Sequence, residues 1–268
     1  MADNRRSFNP MIRAMSSILS TTDVRQMASQ GVVVLSPHFD DACFSLGGLL
    51  SSIGGGHLIN VFSRSVYAPA CGASGLTESQ VHAIRQAEDC AFADRAGLTR
   101  TELGGAEPDF WGRRPNDLSG VKQDVLAMQA SVMDALQSHV CAGKRPFLFV
   151  PMATGHHVNH HAVYEMVKQN ASALSPSFRL AFYEDLPYAH VPATRYQAIR
   201  RFKASFPGFE RHAFALPWSD KQSLIALYGS QLRRAPHPLK FRPAVVWPLG
   251  MHEAVWLTPD DLEPRAEP

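Results

Sequence analysis

Two short stretches hold side chains that bind metal ions and move protons. In the first, the apolar run Val32-Val33-Val34-Leu35 passes through Ser36 and Pro37 into His38, Phe39, Asp40 and Asp41. In the second, Phe147-Leu148-Phe149-Val150-Pro151 leads on to His156, His157, His160 and His161. Imidazole nitrogen and carboxylate oxygen both bind zinc, and catalytic zinc sites use three protein ligands while keeping a fourth position for water. His38 and Asp41 stand three apart across a strand-to-helix turn, so both can address one ion while Asp40 points past it. His157 and His160 repeat the spacing, with His160 on a first helical turn, and one ligand from this cluster would complete a His-Asp-His set. The plainer reading is a polar loop histidine and an acidic pair that suits a helix N-terminus. Against it stands the repetition: each cluster follows an apolar strand and a proline.

The elements that must position these residues read as an α/β chain. Val32–Leu35 is a buried strand that Pro37 stops, because proline has no N–H to give to a ladder. A helix opens after Asp41 and ends at Gly54-Gly55-Gly56, with Gly47 and Gly48 allowing close packing on the sheet. Leu58–Phe62 is a second strand, which makes a strand–helix–strand unit of a parallel sheet. Helical spacing recurs over 79–97 and 121–140, and helices are also expected over 160–169, 194–206 and 219–233. Strands are expected at 147–151 and 180–183, with late strands within 242–253. The loops at 64–78 and 104–118 are long for connections in a compact domain. In the second loop, Trp111, Arg113 and Arg114 could meet a sugar or an anion, or simply form a solvated surface. The expected fold is a Rossmann-like, mostly parallel sheet with helices on both faces and an irregular C-terminal third. Residues 1–30 form an N-terminal extension with an amphipathic helix over 11–30, residues 31–258 a single domain, and residues 259–268 a frayed tail. In open sheets of this kind ligands bind beyond the carboxyl ends of the strands, where both clusters fall.

Composition narrows the function classes. Of 268 residues, 45% are hydrophobic and 19% charged, which supports a sizeable core and argues against disorder. The net charge of +2 offers no basic face for nucleic acid. Cys43, Cys71, Cys90 and Cys141 include no C-x-x-C pair, which suits reduced thiols and a cytoplasmic location. No apolar stretch reaches the roughly 18 residues of a membrane span, and Arg13, Ser16 and Ser17 interrupt the stretch that would be a signal-peptide core. Self-association is compatible with the sequence.

Ser36-Pro37-His38-Phe39-Asp40-Asp41-Ala42 resembles the Pro-His-Pro-Asp-Asp-Glu signature of the PIG-L (LmbE-like) zinc-dependent N-acetylglucosaminyl deacetylases. His157-Val158-Asn159-His160 resembles that family's His-x-Asp-His. Ile84-Arg85-x-x-Glu88, the run Phe182–Tyr188, Lys221, Tyr228-x-Ser230-Gln231 and Glu253 match further, in family order, from about residue 31 to 257. The resemblance implies that His38, Asp41 and His160 hold Zn2+, with Fe2+ suited to the same donors. It implies that Asp40 is the general base toward the water that attacks an acetamide, and that His157 stabilises the oxyanion or protonates the leaving amine. It sets Arg85 near the substrate; the other reading of Arg85 is a surface ion pair with Glu88. The small-molecule substrate would be an N-acetylated amino sugar in a glycoside or conjugate.

Three positions depart from the pattern. Phe39 stands where proline is common, Ala42 where glutamate is, and Asn159 where aspartate is. An asparagine can orient His157 but gives it no charge, and Asp185, at the next strand end, could supply the missing carboxylate from the substrate side. Two other readings stay open: a metal-dependent phosphoester hydrolase, and a family member that binds a sugar without turning it over.

Overall fold

A computed structural model describes residues 17–72, 75–244 and 250–262. The elements follow in the order β1 (Ser17–Ile18), α1 (Thr21–Gln30), β2 (Val32–Ser36), α2 (Asp41–Ile53), β3 (Gly56–Asn60), α3 (Glu78–Ala96) and β4 (Leu98–Glu102). They continue with α4 (Val121–Gln137), β5 (Phe147–Pro151), α5 (Val158–Gln169), α6 (Ala171–Leu174), β6 (Arg179–Tyr183), α7 (Pro192–Ser205), β7 (Glu210–Ala215), α8 (Trp218–Ile225) and β8 (His252–Leu257). One eight-stranded sheet runs β1-β7-β8-β6-β5-β2-β3-β4. Its pairings are parallel except those of β8, which is antiparallel to both β6 and β7.

Strand alternation sends successive side chains to opposite faces, and both faces are covered. Val32, Val34, Phe147, Phe149, Ala181 and Tyr183 pack with apolar residues of α1, α2, α3 and α8. Val33, Leu35, Leu148, Val150, Leu180 and Phe182 pack with those of α4, α5, α6 and α7. Burial on both sides is why β2, β5 and β6 read as unbroken apolar runs. From β2 the chain moves outward through β3 and β4, then returns to place β5 on the other side of β2. The crevice beyond the ends of β2 and β5 is therefore a topological switch point.

Several elements differ from expectation. The helix expected over 11–30 is described only as α1, which a Ser20–Asp23 capping box starts; residues 11–16 lie outside the described residues. Ser17–Ile18 instead pairs with β7, so this part of the extension belongs to the sheet. The edge strand β4 and the interior strand β7 escape an apolar-run criterion because their sequences are interrupted by Arg100 and Glu102 in β4 and by Glu210, Arg211 and His212 in β7. The helix expected over 219–233 stops at Ile225 and gives way to a short turn at Gly229–Gln231. Among the late strands, β8 begins only at His252, and residues 245–249 lie outside the described residues. The start of the tail is ordered: Thr258 and Asp261 form a capping box, and Asp261 is buried. No described helix is long and apolar enough to cross a membrane.

A buried charge cluster ties β6, β7, β8 and α7 together. Glu184 accepts hydrogen bonds from Arg195 Nε (2.6 Å), Arg211 Nε (2.8 Å) and Trp256 Nε1 (3.1 Å). Burial opposes its charge, but Arg211 and Arg195 outweigh burial and hold its pKa down at about 2. A depressed carboxyl contributes stability that is present above its unfolded value of about 4.3 and lost as pH falls toward 2. We expect Tm to drop across that interval and the drop to shrink in Glu184→Gln. That variant should also be destabilised at neutral pH by about 3–5 kcal/mol, the cost of breaking a buried pair.

Candidate metal centre

The switch-point crevice collects the two clusters. Pro37 and Phe39 carry the chain from β2 into α2, and Ser36 Oγ stitches the turn by donating to the His38 carbonyl (2.5 Å) and accepting from the Ala42 N–H (3.0 Å). Asp40 is the N-cap residue of α2 and Asp41 its first residue. Behind them α2 is clamped in mid-helix. Glu253 accepts from the Gly48 and Leu49 N–H groups (2.8 Å each), and Lys221, fully buried, pairs with Glu253 and donates to the Cys43 carbonyl. A Cβ at Gly48 would lie 2.3 Å from Leu216, so the small residues admit this clamp and the α8 side as well as the sheet. On the other strand, Ala153 adopts φ +54°, a left-handed conformation rare for alanine, with Arg201 donating to the Met152 and Ala153 carbonyls. The loop then delivers His157 as the N-cap residue of α5 and His160 to its first turn.

The predicted ligands converge. Asp41 Oδ2 lies 2.9 Å from His38 Nδ1 and 3.1 Å from His160 Nε2. The same oxygen accepts the His38 backbone N–H at 2.9 Å. All three residues are buried. The His157 ring stands edge-on to His38 at 4.5 Å between centroids, and one nitrogen from each of His38, His157 and His160 lies within 4.8 Å of the others. His160 Nε2 and His157 Nδ1 are buried without a hydrogen-bond partner among the described residues.

These donors fit a divalent ion. Two ligand atoms, each about 2.0–2.1 Å from one tetrahedral ion, stand roughly 3.3 Å apart, close to the spacings around Asp41. His160 Nδ1 is held by Asp185 Oδ1 at 2.7 Å, which turns the partnerless Nε2 toward Asp41. A carboxylate behind a histidine is the usual support of a metal-binding imidazole. Burial works against a charged His160, but Asp41 and Asp185 prevail and raise its pKa to about 10 in the metal-free chain. Burial likewise opposes the charge of Asp41, which His160 and His38 overcome, holding it well below the usual carboxylate range.

Four expectations change. Asp185 does not reach His157: it is fully buried, with Oδ1 on His160 and Oδ2 accepting the Thr154 N–H (2.7 Å), so it positions His160 and is not open to substrate. Asn159 does not hold His157 either. Its Oδ1 lies 3.0 Å from His38 Nε2 and its Nδ2 donates to Asp124 Oδ2 (3.2 Å), while Arg113 Nη2 donates to Asp124 Oδ1 (2.5 Å). Arg113 is thus turned inward, away from the solvent-facing role considered for its loop. Arg85 pairs with Glu107 (2.7 Å) and Asp40 (3.1 Å), not with Glu88, which instead binds Ser230. Arg85 is buried, and its chemistry is directed at Asp40. Burial pushes the Asp40 carboxyl up, and Arg85 pulls it back part of the way. Burial and the charges on His38 and His160 keep His157 far below an ordinary histidine, so its ring is neutral.

Sequence reasoning missed Asp124, Arg113 and Glu107. Asp124 left one trace: a carboxylate on the face of α4 that otherwise carries Val121, Val125 and Met128. The chain Arg113–Asp124–Asn159–His38 also fixes a tautomer. Asp124 only accepts, so Asn159 faces it with its amide nitrogen, and His38 Nε2 must carry the proton toward Asn159 Oδ1. His38 Nδ1, which faces Asp41 Oδ2 at 2.9 Å, is then the nitrogen that would give its lone pair to an ion. Asn159→Asp would set two carboxylates face to face, and we expect a roughly 10–100-fold loss of metal affinity, the size of effect of such supporting contacts. Adding Asp124→Asn restores a donor opposite an acceptor and should recover most of it, as measured by chelator competition.

No family model matches the chain. A 2'-N-acetylparomamine deacetylase from Streptomyces fradiae is 29% identical over 162 residues, which is 59% of this chain and 57% of that protein. The chain thus matches little more than half the length of this relative. Among solved structures, the A40926 pseudoaglycone deacetylase superposes with a TM-score of 0.57 at 20% identity, over 85% of this chain and 96% of the other. A deacetylase of the teicoplanin biosynthesis pathway gives 0.56 at 18% identity, over 84% and 96%. The zinc-inhibited form of teicoplanin deacetylase gives 0.52 at 19% identity, over 84% and 96%. At these identities the structures establish the shared fold.

Proposed function

From relatives that are deacetylases of the LmbE/PIG-L type, we propose that this chain is a metal-dependent amidohydrolase that removes the acetyl group from an N-acetylated amino sugar in a glycoside or conjugate. The observation that carries the reading is the convergence of His38 Nδ1 and His160 Nε2 on one oxygen of Asp41, beside a separate carboxylate, Asp40. His38, Asp41 and His160 would hold the ion, which we take to be Zn2+. When bound, such an ion polarises the acetamide carbonyl and lowers the pKa of water. Asp40, partly open and next to the ligands in sequence, takes the proton of the attacking water and passes it to the amine nitrogen as the C–N bond breaks, releasing acetate. Arg85 keeps the Asp40 carboxyl oriented and more acidic than burial alone would leave it. Neutral His157 serves as an N–H donor to the developing oxyanion. Acid catalysis by His157 fits poorly with its depressed basicity. A two-metal phosphoester hydrolase needs further free carboxylates, and Asp185 is occupied by His160 and Thr154. Four free cysteines suit a cytoplasmic protein.

The test is a screen of N-acetylated glucosamine conjugates with the metal-loaded protein, scored by free amine and acetate in equal amounts. Amine release that a chelator stops supports the reading. Intact metal with no release from any conjugate contradicts it.

A further inference from the structure

A cavity of about 420 Å³ shares His157 with the candidate metal centre. Its size lies in the range of small-molecule sites. Pro115, Pro187, Tyr188 and Val191 form the apolar wall, and Asn116, His156, His190 and Thr194 add polar groups. Tyr188 lines the cavity and also stands edge-on to His160 at 5.5 Å. Gly155 makes this wall possible: its φ is +96°, and a Cβ there would lie 2.9 Å from Tyr188 Cγ. His190 Nδ1 is occupied by the Pro187 carbonyl (2.5 Å). Among the described residues, no lysine, arginine, aspartate or glutamate lines the cavity.

We infer that this cavity selects the substrate class. It takes an uncharged, partly apolar conjugate, such as an aryl or alkyl glycoside of the N-acetylated sugar, in preference to sugar nucleotides, sugar phosphates and polycationic amino sugars. The inference rests on the proposed deacetylase reading. A charge moved from water into a cavity without a partner is costly, and phosphate sites recruit arginine, lysine or clustered N–H groups. The apolar C–H face of a pyranose and an apolar aglycone both suit Tyr188, Pro187 and Val191. Two features speak for an anion, and neither is equipped to hold one. The N-terminus of α7 borders the cavity, but Pro192 at its first position has no N–H and no cation stands with it. A second cavity, of about 490 Å³, contains Arg64, but Glu78 pairs with that guanidinium at 2.8 Å.

The experiment compares three N-acetylglucosamine probes with the metal-loaded full chain: an aryl or octyl glycoside, the uridine-diphosphate sugar and the 6-phosphate. A fourth probe is an N-acetylated aminoglycoside. We expect kcat/KM for the neutral glycoside to exceed each charged probe by roughly tenfold or more, a difference of about 1.4 kcal/mol. Val191→Asp, at the exposed rim and at a helix N-cap where aspartate is favoured, should shift the ratio toward the cationic probe by lowering its KM. Turnover that favours a charged probe would overturn this inference and leave the deacetylase reading standing. Absence of turnover on all four would count against that reading instead. Calorimetric Kd values for the same probes would then decide the cavity's preference, with tighter binding of a charged probe overturning it.

Discussion

Replacing Asp40 by asparagine should lower kcat by roughly 10²–10⁴-fold, the range of a general-base contribution, while the protein keeps its metal. The geometry separates Asp40 from the ligands. Asp41 Oδ2 is shared between His38 and His160, whereas Asp40 Oδ1 faces Arg85 Nη2 at 3.1 Å. Asparagine retains an oxygen for Arg85 and nearly the same volume, so folding and metal content should hold. The pH profile gives a second readout. Burial raises the Asp40 pKa and Arg85 only partly restores it. The base is active when deprotonated, so kcat/KM should fall along an acid-side limb as Asp40 takes up a proton. Arg85→Gln removes the opposing charge and should move that limb to higher pH; Asp40→Asn should abolish it. Unchanged kcat in Asp40→Asn would take this residue out of the mechanism.

Replacing His160 by alanine should remove both the ion and the activity. His160 Nε2 is the donor that has no other partner, and no neighbouring residue of α5 supplies one: Asn159 is committed to His38 and Asp124, and His161 Nε2 to the Gly155 carbonyl. The change should also cost stability, because Asp185 is fully buried and would keep only its Thr154 N–H partner. Leaving an unpaired charge in such a place costs about 3–5 kcal/mol. His160→Gln serves as the milder control, since its amide can still face Asp185, and it should lose metal with a smaller fall in Tm. A variant that keeps stoichiometric metal and turnover would mean that the third ligand is another residue, with His157 the nearest candidate.

The candidate site was legible because each cluster follows an apolar strand ended by proline, and the sheet order brings β2 and β5 side by side. What lay beyond local spacing was which neighbour each residue meets. Asp185 was visible at a strand end, but the register of β5 and β6 aims it at His160, not His157. Arg85 had a local partner three residues along its helix, yet Glu107 from the following loop takes it. Asn159 was read against His157, two residues earlier, while the helix turns its amide toward His38 and α4. The edge strand β4 and the interior strand β7 lacked the apolar run of β2 and β5, because charged and polar residues interrupt both. Local pattern thus located the proposed ligands, and long-range packing set the contacts around them.

In the proposed reading His38, Asp41 and His160 together hold one divalent ion. The direct measurement is the metal content of the purified chain, followed by removal with a chelator and titration back, in the wild type and in the single alanine variants of these three residues. We expect one ion per wild-type chain, activity restored at one equivalent, and an empty site in each variant. Two ions per chain, activity that survives complete metal removal, or full metal retention in all three variants would contradict it.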